Sequence, residues 1–251
     1  MGGFGIDTDA VKLYDAFAPY YREYSLSKSA YLTAVEKYVV EHLPENASTL
    51  LDVGAGDGIR GMIIAGERKI GHVVLAEPSS EMADRCRKLP ATEVWQLPAE
   101  ELPTTDARFD VIICLWNVLG HIGTRYKRIE ALKRMRRMLD DEGRLFLDVN
   151  NRHNASAYGS IRVLGRRFID AIRPDERRGD ATFHWKVGEK TMTSMGHLFT
   201  PKEVEGLFRA SGLRVKNRVS VNYATGAISA SISEGQLLYA LTRSASDAAK
   251  D

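Results

Sequence analysis

The segment Leu50-Leu51-Asp52-Val53-Gly54-Ala55-Gly56-Asp57-Gly58 runs from an apolar stretch into a turn with glycine at every second position. Apolar residues up to Val53 suit a buried parallel strand. Glycines this close together let the backbone bend tightly and approach a ligand with no Cβ in the way. Ile59 to Ala65 then opens a helix, whose free N–H groups and positive end face the same space. Glu77 closes a second apolar run, Val73-Val74-Leu75-Ala76. A carboxylate there can accept hydrogen bonds from both hydroxyls of a ribose lying over the carboxyl edge of a sheet. These residue types in this order point to a nucleoside-containing ligand. A strand-to-helix turn without a ligand is the plain alternative.

The nucleoside is not read as a dinucleotide. Gly56-Asp57-Gly58-Ile59-Arg60-Gly61 matches G-x-G-x-x-G by letter. Register opposes that match, because the strand ends at Val53 and the spacing from Gly54 is G-x-G-x-G. Asp52, just before the turn, would repel a pyrophosphate, whereas it would attract a cationic amino-acid group.

A second cluster lies downstream. Leu115-Trp116-Asn117-Val118-Leu119-Gly120-His121 leaves the apolar strand Asp110–Leu115 at the same sheet edge. His121 is a candidate for orienting a substrate or taking its proton, against a structural imidazole bonded to the backbone. Asn117 can hydrogen-bond near the reacting centre, and Trp116 can offer a ring face to a cation or simply pack. His197 is a secondary candidate; the neighbouring Thr200, Pro201 and Glu203 read as a capping box that needs no catalysis. Tyr14 and Tyr21, in an aromatic N-terminal stretch, can supply hydroxyls to a pocket, or belong to a core-facing helix.

The elements that must position these residues alternate along the chain. Helical patterns at Asp9–Tyr24 and Ser29–His42 precede strand Leu50–Val53, helix Ile59–Glu67, strand His72–Ala76, helix Ser80–Leu89 and strand Glu93–Gln96. Strand Asp110–Leu115, helix Tyr126–Leu139 and strand Gly143–Val149 follow. This alternation means βαβ units and a mostly parallel sheet. Helix Pro201–Ser211 leads to strands Arg214–Val221 and Gln236–Leu241, expected to form an antiparallel pair at the sheet. Residues 150–195 break the rhythm and read as a substrate-facing insertion or a surface meander. Phe183, His184 and Trp185 within it suit a flat or apolar ligand. The whole, 1–251, reads as one domain, with 1–45 as a helical cover.

Composition narrows the classes. Lys and Arg number 35 against 33 Asp and Glu, for a net charge of +2, which gives no whole-protein attraction to nucleic acid or to an anionic membrane. Two isolated cysteines, Cys86 and Cys114, make neither a disulfide framework nor a metal-ligand pattern. No secretory or membrane-spanning stretch is read, so a reduced, cytoplasmic setting is expected.

In combination these motifs resemble the class I S-adenosylmethionine-dependent methyltransferases. The matching pieces are Asp52 to Gly58, Glu77 after the second strand, Pro98-Ala99-Glu100-Glu101-Leu102-Pro103 after the third, and Phe109-Asp110-Val111-Ile112 opening the fourth. The resemblance implies a Rossmann-like α/β fold, with a seven-stranded, mostly parallel sheet and an antiparallel terminal strand. It also implies S-adenosylmethionine as cofactor, no metal, and methyl transfer by in-line displacement. Gly54, Ala55, Gly56 and Gly58 would pass under the cofactor's methionine part and ribose. Asp52 would lie near its amino group and Glu77 would hold the ribose hydroxyls. Pro78 and Met82 would border the adenine, with plain helix core as the equal alternative for Met82, and Ala99 and Glu100 would lie beside it. Leu115, Trp116, Asn117, Tyr14 and Tyr21 would complete the site, with His121, Asn117 and Tyr21 toward catalysis. Pro98 departs from the pattern, since many relatives carry an acid immediately before this alanine. The expected acceptor is an oxygen or nitrogen nucleophile on a small aromatic or apolar molecule, in a monomer or homodimer. A protein or nucleic-acid methyltransferase, or an inactive cofactor-binding subunit, is the alternative.

Overall fold

The computed structural model describes residues 7–187 and 190–244. Two helices, α1 (Asp7–Leu26) and α2 (Ser29–Glu41), lead into the alternating run β1 (Thr49–Val53), α3 (Ile59–Glu67), β2 (His72–Ala76), α4 (Ser80–Cys86) and β3 (Glu93–Trp95). The run continues through β4 (Phe109–Cys114), α5 (Val118–His121), α6 (Arg125–Met138) and β5 (Leu139–Val149). Next come α7 (Ala155–Tyr158), α8 (Ser160–Ile172), β6 (Asp180–Val187) and β7 (Lys190–His197). The chain then forms α9 (Pro201–Ala210), β8 (Leu213–Val221), β9 (Ile228–Ser229) and β10 (Gln236–Arg243).

The main sheet has the order β3-β2-β1-β4-β5-β10-β8-β9. β3, β2, β1, β4 and β5 are parallel neighbours, and β10 pairs antiparallel with both β5 and β8. Among the described residues the sheet therefore has eight strands rather than seven, because the two residues of β9 add an edge strand beside β8. β6 and β7 form a separate two-stranded sheet.

Alternation along each strand divides the core into two layers. Leu51, Val53, Ile112, Leu145 and Leu147 pack with Ala131, Leu132 and Met135 of α6 and Val204, Leu207 and Phe208 of α9. Leu50, Val73, Val111, Ile113 and Phe146 pack on the other face with Tyr31, Val35 and Val39 of α2 and Ile64 and Ala65 of α3. Burial on both faces explains why the central strands read as continuous apolar runs. Asp110 ties the start of β4 to β1: its Oδ2 accepts from Ser48 N at 2.8 Å and Thr49 N at 3.0 Å, and from both hydroxyls. The Phe-Asp-Val motif thus carries a structural staple.

Local chemistry sets the helix starts that face the site. Ser79 caps α4 by accepting from Met82 N, and Thr200 and Glu203 form the expected capping box on α9. α1 is fastened across the sheet edge by Asp15, whose Oδ1 accepts from Ser79 Oγ at 2.6 Å and from Glu81 N at 3.2 Å. Among the described residues no helix is long and apolar enough to cross a membrane.

Candidate active site

The turn after β1 is fixed to the end of β2, where Ala76 O accepts from Gly54 N at 2.8 Å and Ala55 N at 3.1 Å. Gly54, Gly56 and Gly58 all adopt positive φ, at 73°, 59° and 75°. Their missing side chains serve different ends. A Cβ on Gly54 would sit 2.5 Å from Val118, and one on Gly56 would sit 2.5 Å from the Tyr21 hydroxyl. A Cβ on Gly58 would instead meet Leu75, Leu89 and Cys86. The missing side chain of Gly58 therefore makes room for the core.

Glu77 anchors the next turn. Its Oε2 accepts from Gly56 N at 2.8 Å and its Oε1 from Ser79 N at 2.9 Å. Burial still pushes its carboxyl up to about 7. Gly54, Gly56, Glu77 and Pro78 form one wall of a cleft of about 210 Å³, and Ala99 and Glu100 another. Leu115, Trp116 and His121 close its far end, and Tyr14 and Tyr21 of α1 cover it. Met82 is absent from these walls. It is wholly buried in a cluster with Phe17, Ala18 and Tyr21, where it holds α1 against α4. Pro98 lines the cleft without a side-chain acceptor, and Glu100 Oε1 pairs with Lys127 Nζ at 3.4 Å.

A small recess sharing Tyr21, Gly54 and Leu115 with this cleft contains Asp52, Ala55 and Arg60. Burial raises the Asp52 carboxyl to about 7. Arg60 Nε is buried without a hydrogen-bond partner, the nearest carboxylate being Glu36 Oε1 at 3.7 Å. Its guanidinium lies 5.3 Å above the Trp116 ring.

On the opposite side of Trp116 lies a cavity of about 260 Å³ whose walls include Phe17, Tyr24, Tyr158, Phe183, His184 and Tyr223. α1, the turn after β4 and the insertion therefore converge on this cavity. Trp185 carries no described side chain. None of the described lining residues is acidic; Asn117, Asn150 and Gln236 supply its neutral polar groups. Tyr14, Tyr21, Trp116 and His121 line both the cavity and the cleft. Those four residues form the neck between the two spaces.

The neck rests on an unusual stretch of backbone. Trp116 and Asn117 are non-glycine residues at φ 68° and 62°, a conformation with a steric cost for L residues. Asp148, at the end of β5, holds them there: it accepts from Trp116 N, from Asn117 N at 3.4 Å, and from the Tyr31 hydroxyl. Asn117 Oδ1 in turn accepts from Asn150 N at 2.9 Å. His121 Nδ1 lies 3.3 Å from Met195 O, and its Nε2 lies 3.4 Å from the Tyr14 hydroxyl. The carbonyl requires a proton on Nδ1, which leaves Nε2 as the acceptor. Burial lowers the His121 pKa, so the ring is neutral at pH 7. His197 lies elsewhere, 1% exposed, with Asp180 Oδ1 and Glu203 Oε1 each 2.7 Å from its ring nitrogens. It clamps β6 to α9 and does not reach the neck.

Residues 50–143 match the family described as a methyltransferase domain. The chain is 27% identical over 222 residues to the cypemycin N-terminal methyltransferase of Streptomyces, covering 83% of this chain and 86% of that protein. A putative methyltransferase of Encephalitozoon cuniculi is 31% identical over 115 residues, a match spanning 46% of this chain and 49% of that protein. The fold superposes with a TM-score of 0.62 on S-adenosylmethionine-bound CalS10, an amino pentose methyltransferase of Micromonospora echinaspora, at 18% identity over 90% of this chain and 96% of that one. Residues 50–143 therefore carry a methyltransferase domain, set in a Rossmann-like α/β fold that CalS10 shares. The domain match and the shared fold support methyl transfer from S-adenosylmethionine as the reaction class.

The residues of this methyltransferase fit that cofactor. The buried, unpartnered Arg60 Nε is suited to the carboxylate of its amino-acid end, and Asp52, in the same recess, is suited to the ammonium, while Gly56 lines the adjoining cleft. Arg60, Asp148, Tyr24, Tyr158, Tyr223 and Gln236 escaped the sequence reading. Asp148 carried a signal, as an acid inside the apolar strand run Leu145-Phe146-Leu147-Asp148-Val149. Arg60 carried a fainter one, as a charged residue on the second turn position after the last glycine.

Proposed function

We propose that this methyltransferase methylates the nitrogen of a small-molecule amine held in the aromatic cavity, with His121 Nε2 receiving the proton. When bound, the cofactor supplies an electrophilic methyl group on a sulfonium. The protein's residues do the rest. Glu77 holds the ribose hydroxyls, while Arg60 and Asp52 hold the amino-acid end. The rings of Tyr14, Tyr21 and Trp116 exclude water and narrow the passage to a single line of approach, and such alignment is worth several kcal/mol.

One observation carries the reading: the base-competent nitrogen of His121 stands on the wall that cleft and cavity share. The absence of an acid among the described lining residues favours an acceptor that enters uncharged, with a flat or apolar body against the rings. Nitrogen is preferred to oxygen because the cypemycin relative is named for methylation at an N-terminus and CalS10 for an amino pentose. A reduced cytoplasmic setting, consistent with two buried thiols, belongs to the same reading.

The test is transfer of labelled methyl from S-adenosylmethionine to a panel of small aromatic amines and matched phenols, with wild-type protein and His121→Ala. Turnover on amines is expected, with kcat lowered by about a hundredfold or more in the variant and partly restored by imidazole. S-adenosylhomocysteine affinity should stay unchanged. Full turnover in His121→Ala would remove the histidine from the chemistry, and turnover on phenols alone would exchange nitrogen for oxygen.

A further inference from the structure

α8 turns its apolar face away from the protein. Ile161, Leu164, Phe168 and Ile172 are 90%, 71%, 67% and 60% exposed, and Ile169 is also exposed, while Val163 is the helix's buried residue. At about 100° per residue these side chains, with Gly165 and Ala171, fill an uninterrupted outward arc of roughly 160°. Arginines border it on both sides, Arg162 and Arg173 on one and Arg167 on the other. The one acid of the helix, Asp170, faces inward, where it pairs with Arg152 at 2.9 Å and His153 at 3.0 Å. A run of large apolar side chains this exposed marks an interaction surface.

The charge pattern selects the occupant. In an antiparallel two-fold pairing of α8 with its copy, the border carrying Arg162 and Arg173 meets the same border. In a parallel pairing it meets the border carrying Arg167. Guanidinium groups face each other in both arrangements, which disfavours a second copy of the chain. An apolar arc whose flanking charges are all arginines is complementary to a surface with an apolar interior and an anionic rim. We propose that α8 docks this protein on an anionic lipid surface, with the apolar arc at the acyl boundary and the arginines at the headgroups. The net charge of +2 conceals this patch, since acids elsewhere balance it. The helix is also joined to the acceptor cavity: α8 follows α7, whose Tyr158 lines that cavity and lies 4.4 Å under the Arg166 guanidinium.

Co-sedimentation with vesicles tests the proposal, comparing phosphatidylcholine alone with phosphatidylcholine containing phosphatidylglycerol. The wild-type protein is expected to partition at least tenfold more strongly onto the anionic vesicles, less so as salt is raised. Leu164→Asp with Phe168→Asp should reduce that partitioning at least tenfold with thermal stability and S-adenosylhomocysteine affinity retained. Arg162→Glu with Arg173→Glu should abolish the preference for phosphatidylglycerol. Equal partitioning on both vesicle types, or partitioning that survives the Asp substitutions, would overturn the proposal. So would a wild-type dimer in sedimentation velocity that the Asp substitutions dissociate while neither protein binds vesicles, since the arc would then be covered by a second copy.

Discussion

Cofactor affinity should depend on pH through two buried carboxyls. Glu77 and Asp52 both titrate near 7, far above their ordinary range, because burial disfavours the charge. Ribose hydroxyls donate best to ionised Glu77, and an ammonium is attracted by ionised Asp52. For a group with a pKa of about 7 in the free protein, roughly nine in ten molecules are ionised at pH 8 and about one in eleven at pH 6. Each group thus weakens binding by about tenfold over that interval, roughly 1.4 kcal/mol. Calorimetric titration with S-adenosylhomocysteine at pH 6, 7 and 8, in buffers of different ionisation enthalpy, reads both affinity and proton release. Wild-type affinity should fall toward pH 6 with protons released on binding, and Glu77→Gln should remove its own tenfold share of the slope. Affinity that is flat from pH 6 to 8, or a slope unaltered in Glu77→Gln, would refute the assignment of that carboxyl to the cofactor. The fold responds in the opposite sense. The unfolded chain loses these protons near the ordinary values of 3.8 and 4.5, whereas the folded protein keeps them to about 7. The contribution of both groups to stability is therefore greatest below the unfolded values, falls as pH rises toward 7, and levels off above it. The melting temperature of the free protein should show that decline, and bound S-adenosylhomocysteine should reduce it.

Two substitutions probe the groups that the sequence did not announce. Arg60→Ala removes the guanidinium, with its buried Nε, from the recess and should weaken S-adenosylhomocysteine binding by about 2 kcal/mol, the scale of a charge-assisted hydrogen bond, with the fold retained; calorimetry checks this. Asp148→Asn keeps the shape but weakens the acceptor for Trp116 N and the Tyr31 hydroxyl. It should lower stability by about 1–3 kcal/mol in urea unfolding and raise KM for the acceptor more than it alters cofactor affinity.

What the sequence revealed, and what it hid, follows from physical causes. The central strands were legible because burial on both faces leaves runs such as Val111-Ile112-Ile113 with no polar residue. Glu77 and His121 were legible because polar residues at the carboxyl ends of such strands face the ligand edge. The sequence left Met82 open between adenine and helix core for a physical reason: a motif fixes where a residue lies along the chain, not whether the space beside it holds ligand or core. Arg60 was hidden because an arginine at a helix start ordinarily reads as a solvated charge, and only its burial beside Asp52 reveals otherwise. α8 escaped because its apolar residues face outward, so its pattern could not be matched to a core. β7 pairs with β6 outside the main sheet and lacks the apolar run that marks the central strands.

The central claim is that the cofactor occupies the cleft and the acceptor the cavity, with His121 at the neck between them. A crystal structure with S-adenosylhomocysteine and an amine found to be methylated tests it most directly. A ribose on Glu77, an amino-acid end at Arg60 and Asp52, and a sulfur facing the neck are expected. The amine nitrogen should lie within hydrogen-bond reach of His121 Nε2, directly or through one water. A sulfur turned away from Trp116 and His121, or an amine bound outside the aromatic cavity, would contradict it.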